Sequence, residues 1–140
     1  MKRQLFDSVK VQPYTSAAAI DRMGYLSGIL AVDIAAPTGS PTAAKLTVKL
    51  TECDTSDGTF AVVSDKAAVN GKQLNSSGEV EYTVDHTAST GGLKDNIPLD
   101  FVGCKRYVKV TCTVSFTGGT TPAATSTYAL ALGDKSEEPV

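Results

Sequence analysis

The chain has 140 residues, rich in Thr, Val and Ala, with no Trp and a formal net charge of −2 from 13 basic and 15 acidic side chains. That length suits one domain, which buries roughly 65–70% of the surface its unfolded chain exposes and needs no metal or disulfide to hold a core. The balanced charge argues against a nucleic-acid binder that works by counterion release, and no run approaches the roughly 18 apolar residues that span a membrane.

The first eight residues form a candidate N-terminal arm. Its MKRQLF start holds a basic pair with no apolar run behind it, so it does not read as a secretory signal. Val9–Val11 reads as a short strand. Ser16–Met23, SAAAIDRM, has a capping Ser and good helix formers but only about two turns of length, too little for a helix to stand alone. It is expected to be a loop or a single turn. Tyr25–Ile34, YLSGILAVDI, is apolar at both parities, as in a central strand covered on both sides. A Gly/Pro/Thr loop follows at Ala36–Thr42.

Lys45–Thr51, KLTVKLT, alternates Leu46, Val48 and Leu50 with Lys and Thr, the period of a half-buried antiparallel strand. The DTSDG turn, Asp54–Gly58, separates it from a short strand at Phe60–Val63. After a turn at Asn75–Gly78, Glu79–Val84 alternates again, with Val80, Tyr82 and Val84 on one face. A further turn at Ser89–Gly92 precedes Ile97–Val102, where Pro98 marks an edge strand or a strand start. Arg106–Phe116 sets Val108, Val110, Cys112, Val114 and Phe116 on one face, so Cys112 is expected to be buried as a small hydrophobe. The loop at Thr117–Pro122 leads to Thr127–Leu132. Tyr128, Leu130 and Leu132 point inward there, and Ala129 and Ala131 leave room for a second layer or a partner to come close. Residues 133–140 form a polar, acidic tail.

Short strands with turn signals about every ten residues predict an all-β fold. The expected architecture is an antiparallel β-sandwich or barrel-like, jelly-roll-like single domain over residues 1–140, with little helix.

Chemistry is hard to assemble from these residues. The lone histidine, His86, lies just past a strand end, where a solvated turn residue is the simpler reading. A pair with Cys53 or Cys104 has no supporting motif. One His and three dispersed Cys do not make a zinc site. Glu79 and Glu81 share the polar side of a strand, and Asp54 and Asp57 fit a turn rather than a calcium loop. No catalytic, cofactor-binding or metal-ligating residue is therefore expected, and no cofactor. In a reducing compartment the cysteines are expected to be free thiols.

The local cation cluster is Lys105, Arg106 and Lys109. With Lys2, Arg3, Leu5 and Phe6 of the N-terminal segment, it is the candidate partner-contact set.

Three segments carry a resemblance. They are IDRMGYLSGILAVDI (Ile20–Ile34), the strand ending in TECDTSDGTF that runs into AVV (Leu46–Val63), and DFVGCKRYVKV (Asp100–Val110). The last is followed by a Thr/Gly loop, the strand TYALAL and a polar tail with Pro139. In this order the chain resembles a family of small tailed-phage and prophage virion head proteins encoded beside the major capsid gene. That family shows a vDxxGYxS-like segment, an SDDGTF-like turn and a G-x-KRYV strand. Cys53 stands here where the family has Ser before the acidic turn. The resemblance implies a capsid decoration or cement protein, and no enzyme. Its expected partner is the major capsid protein, with no nucleic acid and no membrane. It would be a homo-oligomer, a trimer by analogy with decoration at threefold positions. It would be made in the host bacterial cytoplasm and carried on the virion surface. The alternatives are a tail or head–tail connector subunit, or a carbohydrate-binding module, which would need a platform of exposed aromatics.

Overall fold

The computed structural model describes residues 8–64 and 68–135, nearly all of them in strands and the turns between them. Nine strands follow one another: β1 Lys10–Tyr14, β2 Ala19–Asp21, β3 Tyr25–Ile34, β4 Ala43–Cys53, β5 Ala61–Val62, β6 Glu79–Val84, β7 Leu93–Asp100, β8 Tyr107–Thr117 and β9 Ser126–Lys135. Every pairing is antiparallel. One sheet has the order β1-β9-β3-β7. The other runs β2-β8-β4, with β5 and β6 both pairing with β4. Leaving out the two-residue β5, the first strand pairs with the last, the second with the penultimate, and so on inward to β4 and β6. This is one long hairpin rolled up on itself, the jelly-roll form of the sandwich.

The alternating runs of the sequence become the inner faces. Leu46, Val48 and Leu50 of β4 and Val108 and Val110 of β8 are fully buried. Across the core they face Leu30, Val32 and Ile34 of β3, Ile97 and Leu99 of β7, and Leu130 and Leu132 of β9. Each Leu or Val so buried contributes about 1.5–3 kcal/mol. Gly28 belongs to the same inward row of β3. A side chain there would meet the Ala131 carbonyl at 3.0 Å and the Phe101 ring at 3.1 Å. Its absence gives Phe101, the largest fully buried side chain, its place at the end of the core.

Several expectations are corrected. The segment read as a loop holds β2, a strand that exists because it covers the edge of β8 from Tyr107 to Lys109. The first strand runs on to Tyr14, through Pro13. β5 is shorter than Phe60–Val63. β7 starts at Leu93, four residues early, and stops before Phe101 turns into the core. Pro98 does lie on an edge strand, since β7 pairs with β3 alone within its sheet. β3 is central but covered on one side only, with Ile29 46% exposed on the other. β9 continues to Lys135, so the polar tail does not start at Gly133; residues 136–140 and the proposed arm through Asp7 lie outside the described residues. Cys112 points inward yet is only half-buried, because β8 there has run past the end of β2; the buried cysteine is Cys104.

At Thr15–Ala18 the chain leaves one sheet and enters the other. The buried Tyr14 hydroxyl accepts the Val110 N–H at 3.1 Å and donates to the Ala18 carbonyl at 2.7 Å. Ser16 Oγ accepts the Cys112 N–H at 2.8 Å and donates to the Cys112 carbonyl at 3.1 Å. These side chains stand in for ladder bonds on the edge of β8 that faces away from β4, beyond the end of β2. Burial raises the Tyr14 phenol to about 12, and also pushes the Cys112 thiol up to about 12.

Tyr14→Phe leaves the buried Val110 N–H without its acceptor and is expected to lower stability by about 1–3 kcal/mol. Denaturant unfolding with an unchanged m-value measures it. The phenol ionises near pH 10 in the unfolded chain and near 12 in the native one, so the unfolded state loses its proton first. Its contribution is full below about pH 10 and is lost as pH rises to about 12. The alkaline fall in stability should be smaller in Tyr14→Phe than in the parent chain.

Candidate interaction surfaces

The register keeps the candidate nucleophiles and the histidine apart. His86 follows Val84, which pairs with Ala44 at the start of β4. Cys53 ends β4, about 30 Å away along the strand. Cys53 pairs with Tyr107, so Cys104 belongs to the same far end of the sandwich. His86 lies exposed in a turn whose neighbour Asp85 accepts the Thr87 N–H at 2.9 Å and its hydroxyl at 2.7 Å. Those bonds hold the Asp85 carboxyl below the usual range. Exposed Glu81 pairs with Lys45 at 2.7 Å, and Glu79 accepts a hydrogen bond from Asn75 at 3.3 Å. Among the described residues no group of three or more His, Cys, Asp and Glu is placed to hold a metal ion.

The cation cluster sits where β8 begins, and each member has a partner within the chain. Arg106 forks onto Asp21, with Nε to Oδ1 at 3.1 Å and Nη2 to Oδ2 at 2.9 Å, and this pair holds the Asp21 carboxyl down. Lys105 reaches Asp54 at 3.1 Å, and its backbone N–H donates to the buried Glu52 carboxylate at 3.0 Å. Lys109 lies over the Phe60 ring, 4.1 Å from its centre. Sequence reasoning missed Arg22, which donates to the Lys105 carbonyl at 2.8 Å and to the Cys104 carbonyl. It fastens the turn before β8 to the end of β2. A lone Arg in an Ala-rich stretch gave no hint of that role. Lys2, Arg3, Leu5 and Phe6 fall outside the described residues.

The two outer faces of the sandwich differ sharply. The β4 side shows Lys45, Thr47 and Lys49, flanked by Glu79, Glu81 and Thr83 of β6 and by Thr111, Thr113 and Ser115 of β8. The outer face of the β1-β9-β3-β7 sheet is apolar at its centre. Val11, Ala131, Ile29 and Pro98 form one row across all four strands, and Pro13, Ala129, Ala31 and Asn96 form the next. Val11 is 69% exposed. Over the small side chains of Ala31 and Ala129 lies a shallow depression of about 500 Å³, bordered by Asp33, Lys94, Asn96 and Thr127. Among the described residues the exposed large hydrophobics are Val11, Met23, Ile29 and Val102, none of them aromatic.

The chain matches no family model, no curated protein and no solved structure.

Arg22→Ala is expected to cost about 1 kcal/mol through its lost hydrogen bonds. His86→Ala should stay within about 0.5 kcal/mol, as at ordinary surface sites. Thermal and denaturant melts of the two variants side by side check both.

Proposed function

We propose that this chain is a structural subunit of a phage virion, a decoration or cement protein that binds the outer surface of the capsid and stabilises it without catalysis. The observation that supports this reading is the bare apolar face of the β1-β9-β3-β7 sheet. It lies on a domain whose candidate reactive groups sit at opposite ends. Exposed apolar surface of that kind marks contact with another chain, as in a subunit that works by assembly and not by catalysis. The jelly-roll form recurs among viral capsid domains, which agrees with the resemblance carried by Ile20–Ile34, Leu46–Val63 and Asp100–Val110. The fold alone does not fix a function, because lectin domains share it. A sugar-binding platform would want exposed aromatics, and among the described residues the exposed large hydrophobics are aliphatic side chains and a Met.

The partner is the major capsid protein. Many copies would each make a modest contact with neighbouring capsomers, and linkage through the lattice turns weak contacts into firm attachment. The N-terminal segment, with Lys2, Arg3, Leu5 and Phe6, and the end of the sandwich at Lys105, Arg106 and Lys109 are the proposed capsid contacts. The ion pairs to Asp21 and Asp54 make that end a shaped, nearly neutral surface rather than a free cationic patch.

Purified protein added to capsids that lack it should bind and raise their resistance to heat and osmotic shock. Isolated capsid subunit should bind far more weakly, since the site would span capsomers. Deleting Met1–Phe6 should weaken particle binding more than replacing Glu79 or Glu81. Native particles that neither contain the protein nor bind it when it is supplied would refute the proposal.

A further inference from the structure

We infer that the bare face of the β1-β9-β3-β7 sheet is covered by the same face of a second copy of this chain, the two related by a twofold axis that crosses the strands. The inference concerns how copies join each other and does not depend on the capsid reading.

Three observations carry it. The first is shape. An axis crossing the strands at Leu30 of β3 and Leu130 of β9 lays each strand antiparallel on its own counterpart. Ile29 then meets Ala31 of the second copy, where small side chains leave the depression, and Ala131 meets Ala129. On the outer strands Val11 meets Pro13 and Pro98 meets Asn96. Each large apolar side chain of the central strands faces a small one, as close-packed sheets require.

The second is charge. The described ion pairs join Lys45 to Glu81, Lys105 to Asp54 and Arg106 to Asp21, all on the β4 side or at its end. Among the described side chains the charged groups of the bare face are Asp33, Lys94 and Asp100; Asp33 and Lys94 stand opposite each other across β3 and β7, and none of the three makes one of the described ion pairs. The same axis sets Lys94 over Asp100 of the second copy, twice by symmetry, and Asp33 over Ser27. No like charges meet.

The third is area. With strands about 4.8 Å apart and rising about 3.4 Å per residue, the four strands present a face of about 500 Å². Two faces together bury about 1,000 Å², the lower bound for a specific interface. Growth by strand addition is the other way to cover a sheet. Both edge strands of this one carry a proline, Pro13 in β1 and Pro98 in β7, which discourages it.

Sedimentation of the full chain from micromolar to millimolar concentration tests this. The parent chain should pass reversibly from monomer to dimer. Ile29→Asp should weaken the dimer by more than about tenfold, because it buries an unpaired charge. Thr113→Asp, on the opposite face, should leave it unchanged. Lys94→Glu should weaken it severalfold, and adding Asp100→Lys should restore it. Circular dichroism confirms that each variant is folded, and the charge swap keeps the test decisive should Ile29→Asp not fold. A monomer at all concentrations, a trimer, or a dimer indifferent to Ile29→Asp and to the charge swap would overturn the inference. A monomer whose capsid binding is lost in Ile29→Asp would assign the face to the particle and also overturn it. A charge-swappable dimer that binds no capsid would sustain the inference and overturn the capsid reading alone.

Discussion

The backbone of β8 must find partners where the chain changes sheets, and the rest of the fold depends on how it does so. A buried N–H or carbonyl left without a partner costs as much as a lost hydrogen bond. β2 covers β8 only from Tyr107 to Lys109. At Val110 and Cys112 the partners are the Ala17 N–H, the Tyr14 hydroxyl and Ser16 Oγ. With those bonds made, the chain can place β1 in one sheet and β2 in the other while both stay beside their partners. The first strand then closes on the last, and the hairpin is rolled. Ala17 takes the left-handed conformation, with φ of 66°, to make this corner. A non-glycine residue in that region is held by its surroundings rather than by preference.

How far the sequence reveals this depends on which link of the chain is asked about. Where one face is buried and the other solvated, alternation speaks directly: Lys45–Thr51, Glu79–Val84 and Arg106–Phe116 all turn the expected side inward. β2 was not legible because its strand state comes from the needs of β8, ninety residues away, and not from AID itself. The first half of β7, LKDN, was hidden for a related reason. It is an edge strand with water close to both faces, so its side chains show no apolar period. Cys112, expected to be buried, is half-buried because parity tells which way a side chain points, not whether the neighbouring strand extends that far. The same limit applies to the cation cluster. Lys105, Arg106 and Lys109 stand together in sequence, but Asp21 and Asp54, which engage two of them, lie 85 and 51 residues from their partners.

β3 is the most instructive misreading. Both of its faces are apolar, and the usual cause is a layer on each side. The chain supplies one layer. Ile29 and Ala31 face outward with nothing of the described residues over them, beside Ala129 and Ala131 of β9. The pattern was therefore informative about composition and silent about who provides the second cover.

The distribution of charge sets this face apart from the rest of the surface. The β4 side carries alternating Lys, Glu and Thr with a cross-strand ion pair, a surface that stays hydrated. The apolar rows are confined to four strands, built largely of Ala and Pro, and rimmed by Asp33, Lys94 and Asp100. Small side chains expose little area in water, so the isolated chain loses little by leaving them bare. Brought against a matching surface, the same small side chains let two backbones come close, and the area each contributes is fully used. The prolines of β1 and β7 close the route by which sheets usually grow without limit. What remains is a face-to-face contact with a definite end: once two such faces meet, neither has another to offer.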